Sequence, residues 1–354
     1  MRILITGGAG FVGSNLALAY RERYPDAEIV ALDNLRRRGS ELNLPILKSR
    51  NVVFQHGDIR SAADLFDLSG NFDLMVEASA EPSVLAGLDG SPAYVLQSNL
   101  VGTLNCLEFV RERVGALMFL STSRVYSIAP LRAITLRETA SRFVIDNEQL
   151  LAGLSADGIA EGFPVDTARS IYGATKLASE LVIQEYAATY GVLAVINRCG
   201  VIAGPGQFGK VDQGVFTLWV ANHYFGRPLQ YTGFGGEGKQ VRDLLHPRDL
   251  FELIEKQIAS IDEISGQTFN VGGGTDVSTS MREMTEHCQT ATGRKVEIAS
   301  NPKTSPVDIP LYITDASRAR ERFDWKPTRG VATIVGEISS WLRDNEATLG
   351  PLFN

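Results

Sequence analysis

The chain has 354 residues, 44% hydrophobic and 21% charged, with a formal net charge of −7. That length buries a sizeable core in one large α/β domain or two smaller ones, and the acidic balance gives no support to nucleic-acid binding. Three scattered cysteines (Cys106, Cys199, Cys288) and four histidines (His56, His223, His246, His287) lack metal-ligand spacing, so neither a disulfide framework nor a metal site is expected. No apolar run is long enough to span a membrane and Met1 leads directly into the first strand, so a cytoplasmic protein is the expectation.

Arg2 to Thr6 reads as a short apolar strand. It is followed by Gly7-Gly8-Ala9-Gly10-Phe11-Val12-Gly13, a helical run from Ser14 to Arg23, and a strand from Glu28 to Leu32 ending on Asp33. Strand, glycine-rich turn, helix, strand, acid is the order of a dinucleotide-binding unit. Gly7 allows the tight turn, Gly10 lets backbone N–H groups close on a pyrophosphate, and Gly13 lets the helix lie close to the sheet. The glycine spacing differs from the commoner Gly-x-Gly-x-x-Gly, and a glycine string alone is a weak signal; the order of elements carries it. Asp33 would accept hydrogen bonds from the adenosine ribose and repel a 2′-phosphate, which favours NAD. Arg36, Arg37 and Arg38 cut the other way, as cations able to receive that phosphate.

Next come a loop and short helix (Gly39 to Lys48) and a strand from Asn51 to Gln55. The strand runs into His56-Gly57-Asp58-Ile59-Arg60, which places Asp58 at the sheet edge where α/β folds bind ligands. A helix is expected around Ala62 to Leu68, then a strand from Phe72 to Val76 entering Glu77-Ala78-Ser79-Ala80-Glu81-Pro82, whose small residues admit a flat ligand. The spacing of Leu96, Leu100, Leu104, Leu107 and Val110 predicts one long helix over Pro92 to Arg113. The strand Ala116 to Leu120 delivers Ser121-Thr122-Ser123-Arg124-Val125-Tyr126, and residues 127–166 read as an irregular, loop-rich flap. Ser170 opens a long helix to about Tyr190, and the strand Leu193 to Asn197 ends in Arg198.

This alternation predicts an α/β fold, a Rossmann-type doubly wound parallel sheet. The pattern changes after Gly204-Pro205-Gly206, to a helix over Val215 to Phe225, glycine-rich turns over Gly233 to Gly238, and shorter strands near Gln267 to Val271. These suggest a smaller C-terminal substrate-binding subdomain forming one wall of a cleft. The expected division is 1–200 for the nucleotide-binding domain (with closing helices from later chain allowed), 201–330 for the subdomain, and 331–354 for a last helix, Val331 to Asp344, and tail.

Tyr172 and Lys176 are four apart on one helix and share a face. A free tyrosine, with a pKa of about 10, is too weakly acidic to serve as a base at neutral pH; a neighbouring ammonium favours the phenolate. Tyr172 would then take a proton from a sugar hydroxyl while hydride leaves to NAD, with Thr122 bonding the same hydroxyl. A Tyr-x-x-x-Lys pair by itself is a common helix-surface pattern. Its place after a nucleotide fold and after Ser-Thr-Ser-Arg-Val-Tyr makes it a catalytic candidate.

In order, Thr6-Gly7-Gly8-Ala9-Gly10-Phe11-Val12-Gly13, Asp58-Ile59, Asn99-x-x-Gly102-Thr103, Thr122 with Tyr126, Tyr172-x-x-x-Lys176 and Arg242-Asp243-x-x-His246 resemble the motifs of extended short-chain dehydrogenase/reductases, the family of nucleotide-sugar epimerases and dehydratases. The resemblance runs to about residue 328, with Trp325-Lys326-Pro327 similar to the family's closing motif. Within the family the chain is most similar to the CDP-paratose (CDP-tyvelose) 2-epimerase branch, through Asp33-Asn34-Leu35-Arg36-Arg37-Arg38-Gly39-Ser40-Glu41-Leu42-Asn43-Leu44, Asp212-Gln213-Gly214 and Gly238-Lys239-Gln240-Val241-Arg242-Asp243.

The resemblance implies NAD-dependent C2 epimerisation of a CDP-linked deoxyhexose through a 2-keto sugar, in a homodimer built on the helices at residues 92–113 and 172–190. It implies that Gly7, Gly10, Phe11, Val12, Asp33, Asn34, Asp58, Ile59, Ala78, Ala80, Asn99 and Lys176 line the cofactor, and that Arg242 meets the nucleotide diphosphate. Gln207, Gln213 and Asp308 are further substrate-side candidates, alongside Thr122. Glu77, Glu81, Val201, Ala203 and Pro310 depart from the family's usual residues, leaving open a 4-epimerase, a decarboxylase or a net reductase. A non-catalytic NAD-binding module is the alternative of a different class. Ser123-Arg124 stands where 4,6-dehydratases carry Asp-Glu, which speaks against elimination chemistry.

Overall fold

The computed structural model describes residues 1–88, 90–146, 149, 151–209 and 214–353. Its main feature is a seven-stranded sheet of β1 (Arg2–Thr6), β2 (Glu28–Asp33), β3 (Val53–His56), β4 (Phe72–Glu77), β5 (Val114–Thr122), β6 (Ala194–Cys199) and β7 (Thr268–Val271), in the order β7-β6-β5-β4-β1-β2-β3. The strands from β1 to β5 pair in parallel. The order reverses between β1 and β4, and at that switch point Thr6 lies in register with Glu77. In such sheets the crevice beyond the strand ends at this point is where ligands sit.

Helices α1 (Phe11–Arg23), α2 (Gly102–Arg113) and α3 (Ile171–Tyr190) follow β1, β4 and β5 in the chain. Strands β1, β2, β4 and β5 are buried on both faces because a parallel sheet is covered on both, whereas β3 at the edge is largely exposed. Leu4, Val30, Leu32, Met75, Leu117, Phe119 and Ile196 form one buried cluster with Cys106, Leu107, Phe109 and Val110 of α2 and Ile183 of α3. Each large side chain fully buried there contributes about 1.5–3 kcal/mol.

The Cα trace forms two compact units. The first comprises Met1–Val125, Ser170–Arg198 and Leu250–Phe269; the second comprises Tyr126–Arg169, Cys199–Asp249 and the chain from Asn270 on. In the second, short strands at Val201–Ile202, Val241–Leu245, Ser278–Ser280 and Leu311–Tyr312 form a small sheet. Beside it, α4 (Val215–Phe225), α5 (Met281–Thr292) and α6 (Val331–Asp344) pack against one another. The closing motif is held there by buried Asp249, whose carboxylate accepts from Thr328 (2.8 Å) and Arg329 (2.7 Å) and whose carbonyl accepts from Trp325 (3.0 Å). Among the described residues no helix is long and apolar enough to cross a membrane.

Three local expectations need correction. The run expected as one α-helix from Pro92 to Arg113 contains a π-helical turn at Gln97–Val101 between Ala93–Leu96 and α2. Residues 127–166 are not wholly irregular: they hold a helix (Ile128–Ala133) and two hairpins, Leu136–Glu138 with Phe143–Ile145 and Leu154–Ser155 with Gly158–Ile159. The strand expected within the C-terminal subdomain, now β7, lies instead at the edge of the large sheet beside β6, and Ile196 N–H donates to Gln267 O at 3.0 Å. Its fully buried Phe269 and Val271 suit an α/β core, but a partner so distant in sequence leaves no local trace.

Candidate active site

The glycine turn is built by close backbone approach. Gly7 has φ +65°, and a Cβ there would stand 2.8 Å from Ala78 O, in the loop after β4. A Cβ at Gly13 would run into the Gly7 carbonyl. Gly10, extended at φ −70° and ψ 173°, is the N-cap of α1; no side chain caps this helix and no acid stands in its first turn. An uncapped N-terminus with open backbone N–H groups favours an anion. Phe11 and Val12 follow, half-buried, in that first turn.

Asp33 ends β2, buried, and accepts from Ala9 N–H (3.1 Å) and Leu35 N–H (2.8 Å), which ties the acid to the glycine turn. Burial pushes its carboxyl up, and the N–H groups of Leu35, Ala9 and Gly10 oppose that shift. Asn34 donates to Asp58 at 2.9 Å, and Arg60 pairs with Asp58 at 2.6 Å. Burial alone would raise the Asp58 pKa, but the Arg60 and Asn34 bonds outweigh it and hold it at about 2. Ile59 is buried in the core against Gly102. Arg36, a candidate for a 2′-phosphate, has its guanidinium 3.8 Å from the centre of the Tyr94 ring, and Arg60 lies 5.0 Å from the same ring.

Ala78 N–H donates to Thr6 O at 3.2 Å, placing the loop of Ala78 and Ala80 at the switch point. Asn99 clamps the far end of that loop: its Oδ1 accepts from Glu81 N–H (2.7 Å) and its Nδ2 donates to Glu81 O (3.1 Å). It sits in the π turn, a distortion often found at functional sites. The sequence pattern registers Asn99 as a motif residue but carries no sign of this clamp or of the π turn that aims it.

Tyr172 lies in the first turn of α3, buried, with Ser170 as N-cap accepting from Gly173 N–H at 3.1 Å. Lys176 follows one turn later, and its Nζ donates at 3.0 Å to Leu120 O, two residues before Thr122 on β5. Thr122 is buried at the strand end, its hydroxyl accepting from Arg124 N–H at 3.2 Å. The three candidate catalytic residues thus belong to one unit and are fastened to one strand end and one helix start. Beneath them is a buried pair that sequence reasoning missed. Glu180, one turn past Lys176, accepts from Arg198 of β6 (2.7 Å) and from the Ser121 hydroxyl. The i, i+4, i+8 spacing of Tyr172, Lys176 and Glu180 was the available signal.

In the second unit Arg242 and Asp308, expected separately on the substrate side, are bonded to each other at 2.9 Å, and Arg242 also donates to Ile309 O at 2.8 Å. Asp243, next to Arg242 in the chain, is fully buried, its carboxylate accepting from Gly274 N–H at 3.2 Å. Gln207 is buried with both amide ends engaged, donating to Ile202 O (3.1 Å) and accepting from Thr217 (2.6 Å). Gln213 lies outside the described residues.

These residues fit NAD: a turn in which only glycine leaves room, an uncapped helix start, and a buried carboxylate at the end of β2. The sequence from residue 3 to 272 matches the model of the NAD dependent epimerase/dehydratase family. The chain is 29% identical to the CDP-paratose 2-epimerase of Salmonella typhi, covering 96% of this chain and 99% of that protein. It is 30% identical to the dTDP-glucose 4,6-dehydratase of Mycolicibacterium smegmatis, over 99% and 96% of the two chains. Among solved structures, the dTDP-glucose 4,6-dehydratase of Streptomyces venezuelae with NAD bound superposes with a TM-score of 0.77 at 26% identity, covering 99% of this chain and 100% of that one. The glycine cradle at the switch point and the near full-length matches lead to one conclusion: the chain belongs to the NAD dependent epimerase/dehydratase family of nucleotide-sugar enzymes, and NAD is its cofactor.

Proposed function

We propose that the protein epimerises a CDP-linked deoxyhexose at C2, through a transient 2-keto sugar, with Tyr172 as the base. The observation that carries this reading is the fastening of Lys176 Nζ to Leu120 O, one turn beyond Tyr172 and two residues before Thr122. The positive end of α3 and the Lys176 ammonium both favour a phenolate at Tyr172. Tyr172 takes the proton of the C2 hydroxyl, Thr122 holds that oxygen by a hydrogen bond, and Tyr172 returns the proton when the carbonyl is reduced. NAD, when bound, would supply reversible hydride transfer at C2. Gly7, Gly10, Phe11, Val12, Asp33, Asn34, Asp58, Ile59, Ala78, Ala80, Asn99 and Lys176 are the residues we assign to holding it. Arg242 is assigned to the diphosphate, where a guanidinium suits paired phosphate oxygens, with Gln207, Gln213 and Asp308 on the substrate side.

Similarity to a CDP-paratose 2-epimerase over nearly the whole chain supports the choice of C2 and of CDP. Against elimination, Ser123 and Arg124, not acids, follow Thr122 in a short 3₁₀ turn. Leu96, Ile171, Leu181 and Tyr190, exposed on or beside the two long helices, support a homodimer. The test is incubation with CDP-paratose and with CDP-tyvelose, without added cofactor, for the wild type and Tyr172→Phe. Wild-type protein should interconvert the two, and the variant should be slower by about 10²–10⁴-fold. No interconversion by the wild type, or unchanged turnover by Tyr172→Phe, sinks the reading.

A further inference from the structure

Glu77 is a buried acid without a role in the chemistry above. It ends β4 at 0% exposure, in register with Thr6 of β1 on one side and Phe119 of β5 on the other. Met75, two residues earlier on the same face, and Phe119 both pack in the cluster beneath α2 and α3, so Glu77 points toward these helices. Thr103 of α2 donates to its Oε1 at 2.5 Å, and Cys106 lies one turn further along that helix. Its Oε2 and the Thr6 hydroxyl are both buried with no hydrogen-bond partner among the described residues. Lys176 occupies the same layer from the α3 side: it is 2% exposed, and its Nζ stands 4.3 Å from the centre of the Phe119 ring, the register partner of Glu77.

A buried ammonium and a buried carboxylate are each costly alone, and each is driven towards its neutral form. Within one dry layer the two offset one another. The charged and titratable groups facing Glu77 are Lys176 from α3 and Cys106 from α2, with Thr6 and Thr103 as the polar neighbours and Phe119 from β5. Burial pushes the Cys106 thiol well up, so it stays neutral and leaves Lys176 as the cation that answers Glu77. Burial also pushes the Glu77 carboxyl up, and the Lys176 ammonium is the first influence that opposes it.

We propose that Glu77 is a positioning residue for catalysis: its ionised carboxylate is the counter-ion that keeps buried Lys176 protonated and sets the pH window in which Tyr172 works. This rests on the assignment of Tyr172 and Lys176 above. The sign follows from electrostatics. Removing a negative charge lowers the pKa of every nearby group, so neutralising Glu77 moves the phenolate titration of Tyr172 and the loss of the Lys176 proton in the same direction, toward acid.

The experiment compares wild type, Glu77→Gln and Glu77→Asp, each with NAD bound. The pH profile of kcat/KM is read together with the near-ultraviolet phenolate absorbance that Tyr172→Phe abolishes. In Glu77→Gln both limbs of the profile and the phenolate midpoint should shift down by about one pH unit, while Glu77→Asp, which keeps the charge, stays at the wild-type window. Superposable wild-type and Glu77→Gln profiles would overturn the proposal, as would a fall in kcat/KM with the window unmoved, which marks a packing role. For the case in which Glu77→Gln does not fold, the side-chain carboxyl carbon resonance of Glu77 in isotope-labelled protein, identified by its loss in Glu77→Asp, gives a second reading. It should be that of a carboxylate at neutral pH, and a protonated carboxyl there overturns the proposal. Failure of Tyr172→Phe to lose turnover would fault the catalytic assignment instead, so the two ideas fail separately.

Discussion

Two of the molecule's arginine–carboxylate pairs differ in how far their acids are shut in. Arg198 and Glu180, in the first unit, are 10% and 2% exposed and bond through both the Nε and Nη2 atoms of the guanidinium. Arg242 and Asp308, in the second, are 12% and 31% exposed, and the arginine divides its donors between the carboxylate and the carbonyls of Val241 and Ile309. A closed pair is committed to the fold, because opening it strands a buried charge. A pair whose carboxylate is about a third exposed is more replaceable: the acid already meets water, so exchanging it for a phosphate strands no buried carboxylate. The same chemistry is thus sealed in one unit and open on its carboxylate side in the other.

Glu180→Gln is the largest way to break that contrast. It keeps the shape but leaves Arg198 buried without its counter-charge, and should cost about 3–5 kcal/mol in unfolding experiments, with little change in the KM of whatever protein folds. A loss below about 1 kcal/mol would show the pair to be as replaceable as the other.

Arg242→Ala comes next and inverts the pattern. Losing charge-assisted bonds to a diphosphate should raise the KM for the nucleotide sugar by about 10–100-fold, with kcat less affected and stability lowered by no more than about 1 kcal/mol. Asp308→Asn sharpens the point, for it weakens the grip on Arg242 and should lower KM. A raised KM would mean that Asp308 orients the guanidinium rather than competing for it.

The smallest effect concerns Asp58. Its folded pKa, about 2, lies below the value of about 3.9 expected when unfolded. Its contribution to stability is therefore full above about pH 4 and is lost as pH falls toward about 2. Asp58→Asn should lower stability at neutral pH and flatten the acid limb of the profile over that interval, with the two proteins converging near pH 2. An unaltered acid limb would show that the Arg60 bond contributes nothing in solution.

Much of the first unit is legible in the order of its residues. The turn at Gly7, Gly10 and Gly13 and the pair Tyr172–Lys176 are local spacings, and local spacings map directly onto turn and helix geometry. The strands β1, β2, β4 and β5 stand out because burial on both faces demands unbroken apolar runs. Less is legible where partners come from afar. Gln207 reads as a substrate-side candidate, and only the fold reveals Ile202 and Thr217 at the two ends of its amide. Arg242 and Asp308 read as separate substrate contacts, whereas the small sheet and the loop before Leu311 bring them within bonding distance.

The sequence alone determined the family, the doubly wound fold and the glycine-rich turn between β1 and α1, because each is written in neighbours along the chain. Only the tertiary structure decided which charges are shut in and which remain open, that Asn99 spends its amide on Glu81, and that Glu77 and Lys176 share one dry layer. Burial is a property of what packs around a side chain. No spacing rule can state it for residues brought together across a sheet.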